Sequence, residues 1–197
     1  MDLLEQRILE EGIVLPGNVL KVDSFLNHQI DPKLSMAMGE EFADIFSDVQ
    51  IDRVLTVEAS GIAIALAAAL HIGVPMVFAR KRASVLMTEP AYTEQVYSYT
   101  KKETSNITVL KKFLPAGERV LIVDDFLANG EAALGMARLV EAAGSQVAGI
   151  GIAIEKAFQD GHQKILDAGY RLEALASIAA LKDGKVEFAE EDSDLLN

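Results

Sequence analysis

A pair of adjacent carboxylates stands between an apolar run and a glycine turn in Val120–Ala132, VLIVDDFLANGEA. The run ends in Asp124 and Asp125, and a helix is predicted to begin just after Gly130. Free backbone N–H groups at a helix N-terminus bind phosphate, and glycine lets the backbone approach it closely. The two carboxylates would repel phosphate, but they can accept hydrogen bonds from the vicinal hydroxyls of a ribose. The segment therefore predicts a site for a sugar phosphate.

Two other kinds of structure can contain such a segment. A strand ending in two Asp residues also forms the acidic Mg²⁺ pocket of response-regulator receiver domains, and a turn of this kind can be purely structural. In receiver domains the pair follows the first strand, whereas here it stands at position 124. No Asp ends a predicted strand at a suitable distance downstream, and Asp167 falls within a predicted helix. The complete pattern favours the sugar phosphate.

Two further segments place polar residues at predicted strand ends. Val57–Ile62 (VEASGI) reads as a strand, a loop with Ser60 and Gly61, and a helix, a pattern that taken alone is more often structural. Arg80, Lys81 and Arg82 close the next predicted strand. Such basic runs are usually solvated, but in a chain of net charge −12 three adjacent cations at a ligand edge favour anion binding.

The elements that must position these residues alternate along the chain. Apolar runs predict strands at Val19–Val22, Asp52–Val57, Val74–Arg80, Arg119–Asp124, Gln146–Glu155, Tyr170–Ile178 and Lys185–Phe188, with helices over 3–11, 33–46, 62–72, 131–143 and 158–168. This alternation predicts an α/β fold with a mainly parallel, doubly wound sheet, whose ligands lie at the carboxyl ends of the strands. The terminal segments do not fit the alternation. Within a single domain, 1–197, we expect residues 1–35 to form a small cap with the C-terminal part. The polar stretch Ser84–Asn106 predicts an extended hairpin or a mobile loop.

Composition limits the possible chemistry. The chain has 197 residues, half of them apolar, with no cysteine and 3 histidines. Disulfides, thiol nucleophiles and cysteine metal sites are therefore excluded, and a multi-histidine metal site is disfavoured. The acidic balance argues against nucleic-acid binding. Gly61–Ala79 lacks charged residues, but His71, Gly73 and Pro75 interrupt it, so we expect a helix ending near Ile72 and then a strand rather than a membrane span. The expected location is the cytosol.

Val120–Ala132 resembles the phosphoribosyl pyrophosphate motif of the type I phosphoribosyltransferases. The usual Thr-Gly-Gly-Thr ending is replaced by Ala128–Ala132 (ANGEA), which resembles the bacterial members that act on xanthine. The resemblance implies transfer of a phosphoribosyl group to N9 of xanthine, with Mg²⁺ carried by the pyrophosphate, no metal held by the protein itself, a lid over 84–106 and a homodimer. It implies that Asp124 and Asp125 are catalytic. The phosphoribosyl pyrophosphate-binding residues would be Ala128, Asn129, Gly130, Glu131, Ala132, Ser60, Gly61, Arg80 and Lys81.

Base recognition depends on the resemblance alone. Leu20, Asn27 and Lys156 match the xanthine branch, and Phe126 is expected to stack on the base. Without the resemblance these would be read as two core residues, a turn and a surface charge. Gln159–His162 (QDGH) departs from the family's Gln-Pro-Gly-Arg. Two alternatives stay open: the same fold acting on hypoxanthine, guanine or adenine, and a non-catalytic regulator that senses nucleotides.

Overall fold

A computed structural model describes residues 1–81, 89–98 and 102–189. Its helices are α1 (Asp2–Glu11), α2 (Pro32–Ile45), α3 (Gly61–Ile72), α4 (Glu131–Ala142) and α5 (Gly161–Asp167). Its strands are β1 (Ile13–Leu15), β2 (Val19–Lys21), β3 (Arg53–Val57), β4 (Met76–Ala79), β5 (Ala91–Ser98), β6 (Glu103–Leu110), β7 (Arg119–Leu127), β8 (Gln146–Lys156), β9 (Leu172–Lys182) and β10 (Lys185–Phe188). A π-helical turn spans Asp23–Asn27, and a short 3₁₀ turn spans Lys111–Phe113.

Six strands form the main sheet, in the order β10-β9-β8-β7-β3-β4. All neighbours pair in parallel except β10, which pairs antiparallel with β9. Residues of α1, α2 and α3 pack on one face of the sheet, and those of α4, α5 and the β5–β6 hairpin pack on the other. This arrangement confirms the predicted doubly wound α/β fold.

Local signals explain where the helices begin and end. The Oδ1 atom of Asp31 accepts hydrogen bonds from the N–H groups of Lys33 and Leu34, at 2.9 and 3.1 Å, which caps α2 in front of Pro32. Helix α3 ends at Gly73, whose φ of 84° few other residues tolerate. The apolar segment 61–79 is thus a helix and a strand, as expected. None of the described helices is long and apolar enough to cross a membrane.

The terminal segments meet beside β9. The short hairpin of β1 and β2, the π-helical turn and α1 share one apolar cluster with Leu175, Ala176 and Ile178 of β9. Val186 and Phe188 of β10 pack against the same cluster, although β10 itself extends the main sheet. The N-terminal ammonium group donates a hydrogen bond to the carbonyl of Leu175 at 2.6 Å. Residues from both terminal segments therefore pack in the same apolar cluster, and their role as a cap stays a prediction.

A hairpin occupies most of the polar stretch 84–106. Strands β5 and β6 pair antiparallel from Ala91 opposite Leu110 to Ser98 opposite Glu103. This confirms the hairpin interpretation for the described part of the stretch. Residues 82–88 and 99–101 lie outside the described residues. They include Arg82 and part of the predicted lid over 84–106. The acidic C-terminal run 190–197 also lies outside them.

Candidate active site

The paired carboxylates lie within β7, not after it. β7 was expected to end at Asp124, but it continues to Leu127, because β8 runs on to Lys156 and offers it a pairing partner. Asp124 pairs with Ile152, Phe126 with Ile154 and Leu127 with Glu155. Successive side chains of a strand point to opposite faces, so Asp124 and Asp125 enter different environments. Asp124 is only 5% exposed, whereas Asp125 is half-buried.

The environment of Asp124 disfavours its charge. Burial raises the pKa of Asp124 well above its usual range, and the charge of the neighbouring Asp125 raises this pKa further. The N–H group of Asp125 donates a hydrogen bond to Oδ1 of Asp124 at 3.0 Å, and this bond lowers the pKa of Asp124, against the effect of burial. A ribose hydroxyl would meet one buried and one accessible carboxyl group at this point of the sheet.

The loop after β3 lies against Asp124. A methyl group on Gly61 would lie 2.7 Å from Oδ1 of Asp124 and 2.2 Å from Oγ1 of Thr56, both too close for any side chain. Ser60 and Gly61 form the start of α3. The structure therefore brings this helix N-terminus next to Asp124.

Glu58 joins this loop to the basic residues that follow β4. One carboxylate oxygen of Glu58 accepts a hydrogen bond from the N–H group of Lys81 at 2.7 Å. The other oxygen lies 3.8 Å from Nε of Arg80, whose side chain is half-exposed. The positive charge of Lys81 lowers the pKa of Asp124, against the larger effect of burial. Arg80 and Lys81 are thus held beside Glu58, at the start of the loop that leads to Ser60 and Gly61. The peptide bond between Glu58 and Ala59 is cis.

The second glycine turn precedes α4 and touches α5. Gly130 has a φ of 81°, a left-handed conformation that suits glycine, and α4 begins at Glu131. The N–H group of Gly161 donates a hydrogen bond to the carbonyl of Ala128 at 3.1 Å. A methyl group on Gly161 would lie 2.3 Å from that carbonyl oxygen. The start of α5 therefore supports the turn 128–131 from behind.

Lys164, a residue that the sequence did not single out, lies beside the turn 128–131 and contacts Glu131. Nζ of Lys164 lies 3.9 Å from Oε1 of Glu131, 3.1 Å from Oδ2 of Asp160 and 3.3 Å from the carbonyl oxygen of Asn129. The i, i+4 spacing of Asp160 and Lys164 was visible in the sequence, but it indicated only an exposed ion pair.

A buried carboxylate at the end of β8 ties three elements together. Glu155 is 3% exposed. One of its oxygens lies 2.5 Å from Nδ1 of His162 on α5, and the other accepts a hydrogen bond from the Ser177 hydroxyl of β9 at 2.5 Å. His162 occupies the position where the family pattern has arginine. Neither Glu155 nor Ser177 carried a signal in the sequence.

The residues proposed for the base meet only in part. Nζ of Lys156 lies 5.9 Å from the centroid of the Phe126 ring and donates a hydrogen bond to the carbonyl of Asn18 at 3.0 Å. Burial lowers the pKa of Lys156. The β1–β2 hairpin is thereby joined to the carboxyl end of β8. Leu20 is buried in the core of the cap, whereas Asn27 is exposed at the end of the π-helical turn.

Two glycine turns at helix N-termini thus lie with a carboxylate pair at one edge of a parallel sheet, an arrangement that suits the phosphate and hydroxyl groups of a phosphorylated ribose. A sequence model of the family described as "Phosphoribosyl transferase domain" matches residues 27–174. The chain belongs to the phosphoribosyltransferase family.

Curated relatives are similar over nearly the whole chain. A xanthine phosphoribosyltransferase of Lactobacillus delbrueckii subsp. bulgaricus is 58% identical over 188 residues, which cover 95% of this chain and 100% of that protein. The xanthine phosphoribosyltransferase of Bacillus cytotoxicus is 54% identical over 193 residues and covers 98% of each.

Solved structures share the fold. The adenine phosphoribosyltransferase of Giardia lamblia, complexed with 9-deazaadenine, matches with a TM-score of 0.76 at 22% identity, over 90% of this chain and 98% of that chain. The enzyme of the same name from Thermoanaerobacter pseudethanolicus matches with a TM-score of 0.66 at 29% identity, over 75% of this chain and 82% of that chain. The fold is therefore that of the purine members of the family.

Proposed function

We propose that this chain transfers the 5-phosphoribosyl group of phosphoribosyl pyrophosphate to N9 of xanthine, giving xanthosine monophosphate and pyrophosphate. The observation that carries the proposal is the meeting of the Asp124–Asp125 pair with two glycine turns at one edge of the sheet. Relatives at 54–58% identity that bear the name xanthine phosphoribosyltransferase favour xanthine over the other purines. The same similarity disfavours a non-catalytic regulator.

Each part of the edge has a distinct task. The turn 128–132 offers backbone N–H groups to the 5′-phosphate, while Asp124 and Asp125 accept the ribose hydroxyls. Positive charge grows on the ribose ring as the bond to pyrophosphate breaks, and a fixed carboxylate nearby stabilises it. Ser60 and Gly61, with Arg80 and Lys81, would hold the leaving pyrophosphate. Catalysis then depends mainly on position and electrostatics.

Discrimination between purines is assigned to the end of β8. Lys156 only donates hydrogen bonds, so it suits an oxo group of xanthine and penalises the amino group of adenine. Phe126, which lies beside Lys156, offers a surface for the base. Leu20 and Asn27 of the cap would complete the pocket. Of these, Asn27 is exposed and would face an oxopurine edge with both a donor and an acceptor.

The site fits Mg²⁺ that arrives on the substrate. Among residues 1–81, 89–98 and 102–189, no group of three His, Asp or Glu side chains is arranged to hold a metal ion. The carboxylates of Asp125 and Glu58 are the hard oxygen donors that Mg²⁺ prefers, and together they are too few for a cage. Bound to the pyrophosphate oxygens, the ion would neutralise the charge of the leaving group.

A homodimer in the cytosol completes the proposal. Leu66 and Leu70, four residues apart on one face of α3, are 60% and 66% exposed, and Phe78 of the edge strand β4 is 38% exposed. Exposed apolar side chains of this kind are typical of an interface between subunits.

Release of pyrophosphate in the presence of xanthine, hypoxanthine, guanine and adenine tests the function directly. We expect xanthine to give the highest kcat/KM. The Asp124→Ala/Asp125→Ala variant should fold and release no pyrophosphate with any base. A preference for adenine would contradict the role of Lys156, and near-normal transfer by the double variant would contradict the whole site.

A further inference from the structure

The turn proposed to hold the 5′-phosphate lies in acidic surroundings. Glu131 is the first residue of α4, Asp160 directly precedes α5, and Asp125 lies five residues before Gly130. A phosphate dianion placed in this turn would be repelled by all three carboxylates, and the charge of −12 on the whole chain adds to the repulsion. Backbone N–H groups alone leave this repulsion uncompensated.

Lys164 is placed to compensate it. Its ammonium group contacts both acidic neighbours of the turn, Asp160 at 3.1 Å and Glu131 at 3.9 Å. It also donates a hydrogen bond to the carbonyl oxygen of Asn129 at 3.3 Å. One cation therefore touches both flanking carboxylates and the backbone of the turn.

The contact with Asn129 also bears on the geometry of the turn. A peptide unit is planar and carries the carbonyl of one residue together with the N–H group of the next. A hydrogen bond to the carbonyl of Asn129 thus fixes the plane that contains the N–H group of Gly130. This N–H group belongs to the turn that would face the phosphate.

Lys164 is held in place by the rest of α5. The N–H group of Gly161 is bonded to Ala128, and the His162 ring is bonded to the buried Glu155. These two contacts attach the first turn of α5 to the turn after β7 and to β8, and Lys164 follows within the same helix. Its side chain is 35% exposed, so it can still meet a ligand at the surface of the turn.

We propose that Lys164 is a binding and positioning residue of the 5′-phosphate site: it offsets the charges of Glu131 and Asp160 and fixes the Asn129–Gly130 peptide. The inference rests on the proposed function, because the anion in question is the 5′-phosphate of phosphoribosyl pyrophosphate.

Calorimetric binding of phosphoribosyl pyrophosphate with Mg²⁺, together with steady-state kinetics, tests the proposal. Lys164→Met should weaken binding by about tenfold, the effect of one charge-assisted hydrogen bond, and raise KM for this substrate more than it lowers kcat. Lys164→Arg should retain most of the affinity. The double variant Lys164→Met/Glu131→Gln should bind more tightly than Lys164→Met, because the uncompensated carboxylate is gone.

Lys112→Met is the matched control. Lys112 forms an exposed ion pair with Glu89 at 2.7 Å in the turn before β7, so its loss changes the net charge equally. It should bind phosphoribosyl pyrophosphate as tightly as the unaltered chain.

The inference alone would be overturned if Lys164→Met bound phosphoribosyl pyrophosphate as tightly as the unaltered chain, or if adding Glu131→Gln restored no affinity. It would also be overturned if Lys164→Met lowered the affinity for xanthine and the melting temperature in parallel, because such losses indicate a folding defect. If the unaltered chain did not bind phosphoribosyl pyrophosphate, the proposed function would fail with it.

Discussion

Asp124 carries a carboxyl group that is only 5% exposed within β7. A carboxylate in its position is costly to bury, and burial raises its pKa well above the usual range. Its neighbour Asp125 remains half-buried and accessible. Ionisable groups kept in unfavourable surroundings are typical of functional sites, because the cost is tolerated for the sake of the ligand. The free energy of unfolding should therefore reveal this cost when the charge is removed.

Asp124→Asn should abolish transfer and raise the free energy of unfolding at neutral pH. A raised pKa means that the folded state binds this proton more tightly than the unfolded state does. Stability due to the protonated carboxyl group of Asp124 is therefore present below the unfolded value near 3.8 and is lost as the pH rises through the raised pKa of the folded state. The gain from the variant should be small at pH 4 and larger at pH 8, with a rise in Tm of about 2–4 °C for each kcal/mol.

Denaturant unfolding at both pH values measures this gain. Asp44→Asn, a change at an exposed position of α2, serves as the control and should alter stability little at either pH. A variant at position 124 that is less stable than the unaltered chain at pH 8 would contradict the assigned cost of burial.

Most elements of the sheet could be predicted because their signals are local. Strand β3 and helix α3 matched their apolar runs, and Gly73 ended the helix as expected. The extension of β7 beyond Asp124 depends on pairing with β8, which no local pattern reveals. The hairpin strand β1 has three residues, too few for a periodic signal. Helix α5 begins at Gly161, not at residue 158, because Gly161 must contact Ala128.

The residues of the candidate site also include some that a local sequence pattern reveals and some that depend on distant contacts. Asp124, Asp125 and Gly130 stand in one segment, so their combination could be read directly from the sequence. Lys164 and Glu155 lie about thirty residues further along the chain, and their relevance arises only from contacts with that segment or with α5. A lysine in a short helix and a glutamate at a strand end are too common to be singled out. The role of Asn27 and Leu20 stays a prediction.

Glu155 should hold β8, β9 and α5 together through its contacts with His162 and Ser177. Glu155→Ala leaves Ser177 and His162 without their partner, which should cost about 1–3 kcal/mol of unfolding free energy. Because α5 also supports the turn 128–131, KM for phosphoribosyl pyrophosphate should rise as well. Chemical denaturation and steady-state kinetics give the two measurements.

Glu173→Ala provides the comparison for this prediction. Glu173 on β9 also forms an ion pair, with Arg171 at 2.9 Å, but its side chain is 37% exposed. Its loss should therefore cost less than about 1 kcal/mol and leave KM unchanged. If the two alanine variants changed the unfolding free energy and KM equally, the role assigned to the hydrogen bonds of Glu155 would be contradicted.

The whole molecule is acidic, yet its proposed substrate is a polyanion. Attraction must therefore be local: Arg80 and Lys81 stand at one glycine turn, and Lys164 stands at the other. Both turns lie at the carboxyl edge of the sheet, because they follow β3 and β7, which pair in parallel. Leu66 and Leu70 of α3 form an exposed apolar region, where we propose that a second copy of the chain binds.

The apolar region leads to a prediction about assembly. Leu66 and Leu70 are largely exposed in the monomer, so Leu66→Lys/Leu70→Lys should not disturb the core, but it should prevent two copies from burying this helix face. Sedimentation equilibrium should give a dimer for the unaltered chain and a monomer for the variant, with unchanged far-UV circular dichroism. Leu9→Lys, at a leucine of α1 that is 62% exposed, should remain dimeric. A dimeric double variant would place the interface elsewhere, and a monomeric unaltered chain would contradict the proposed homodimer.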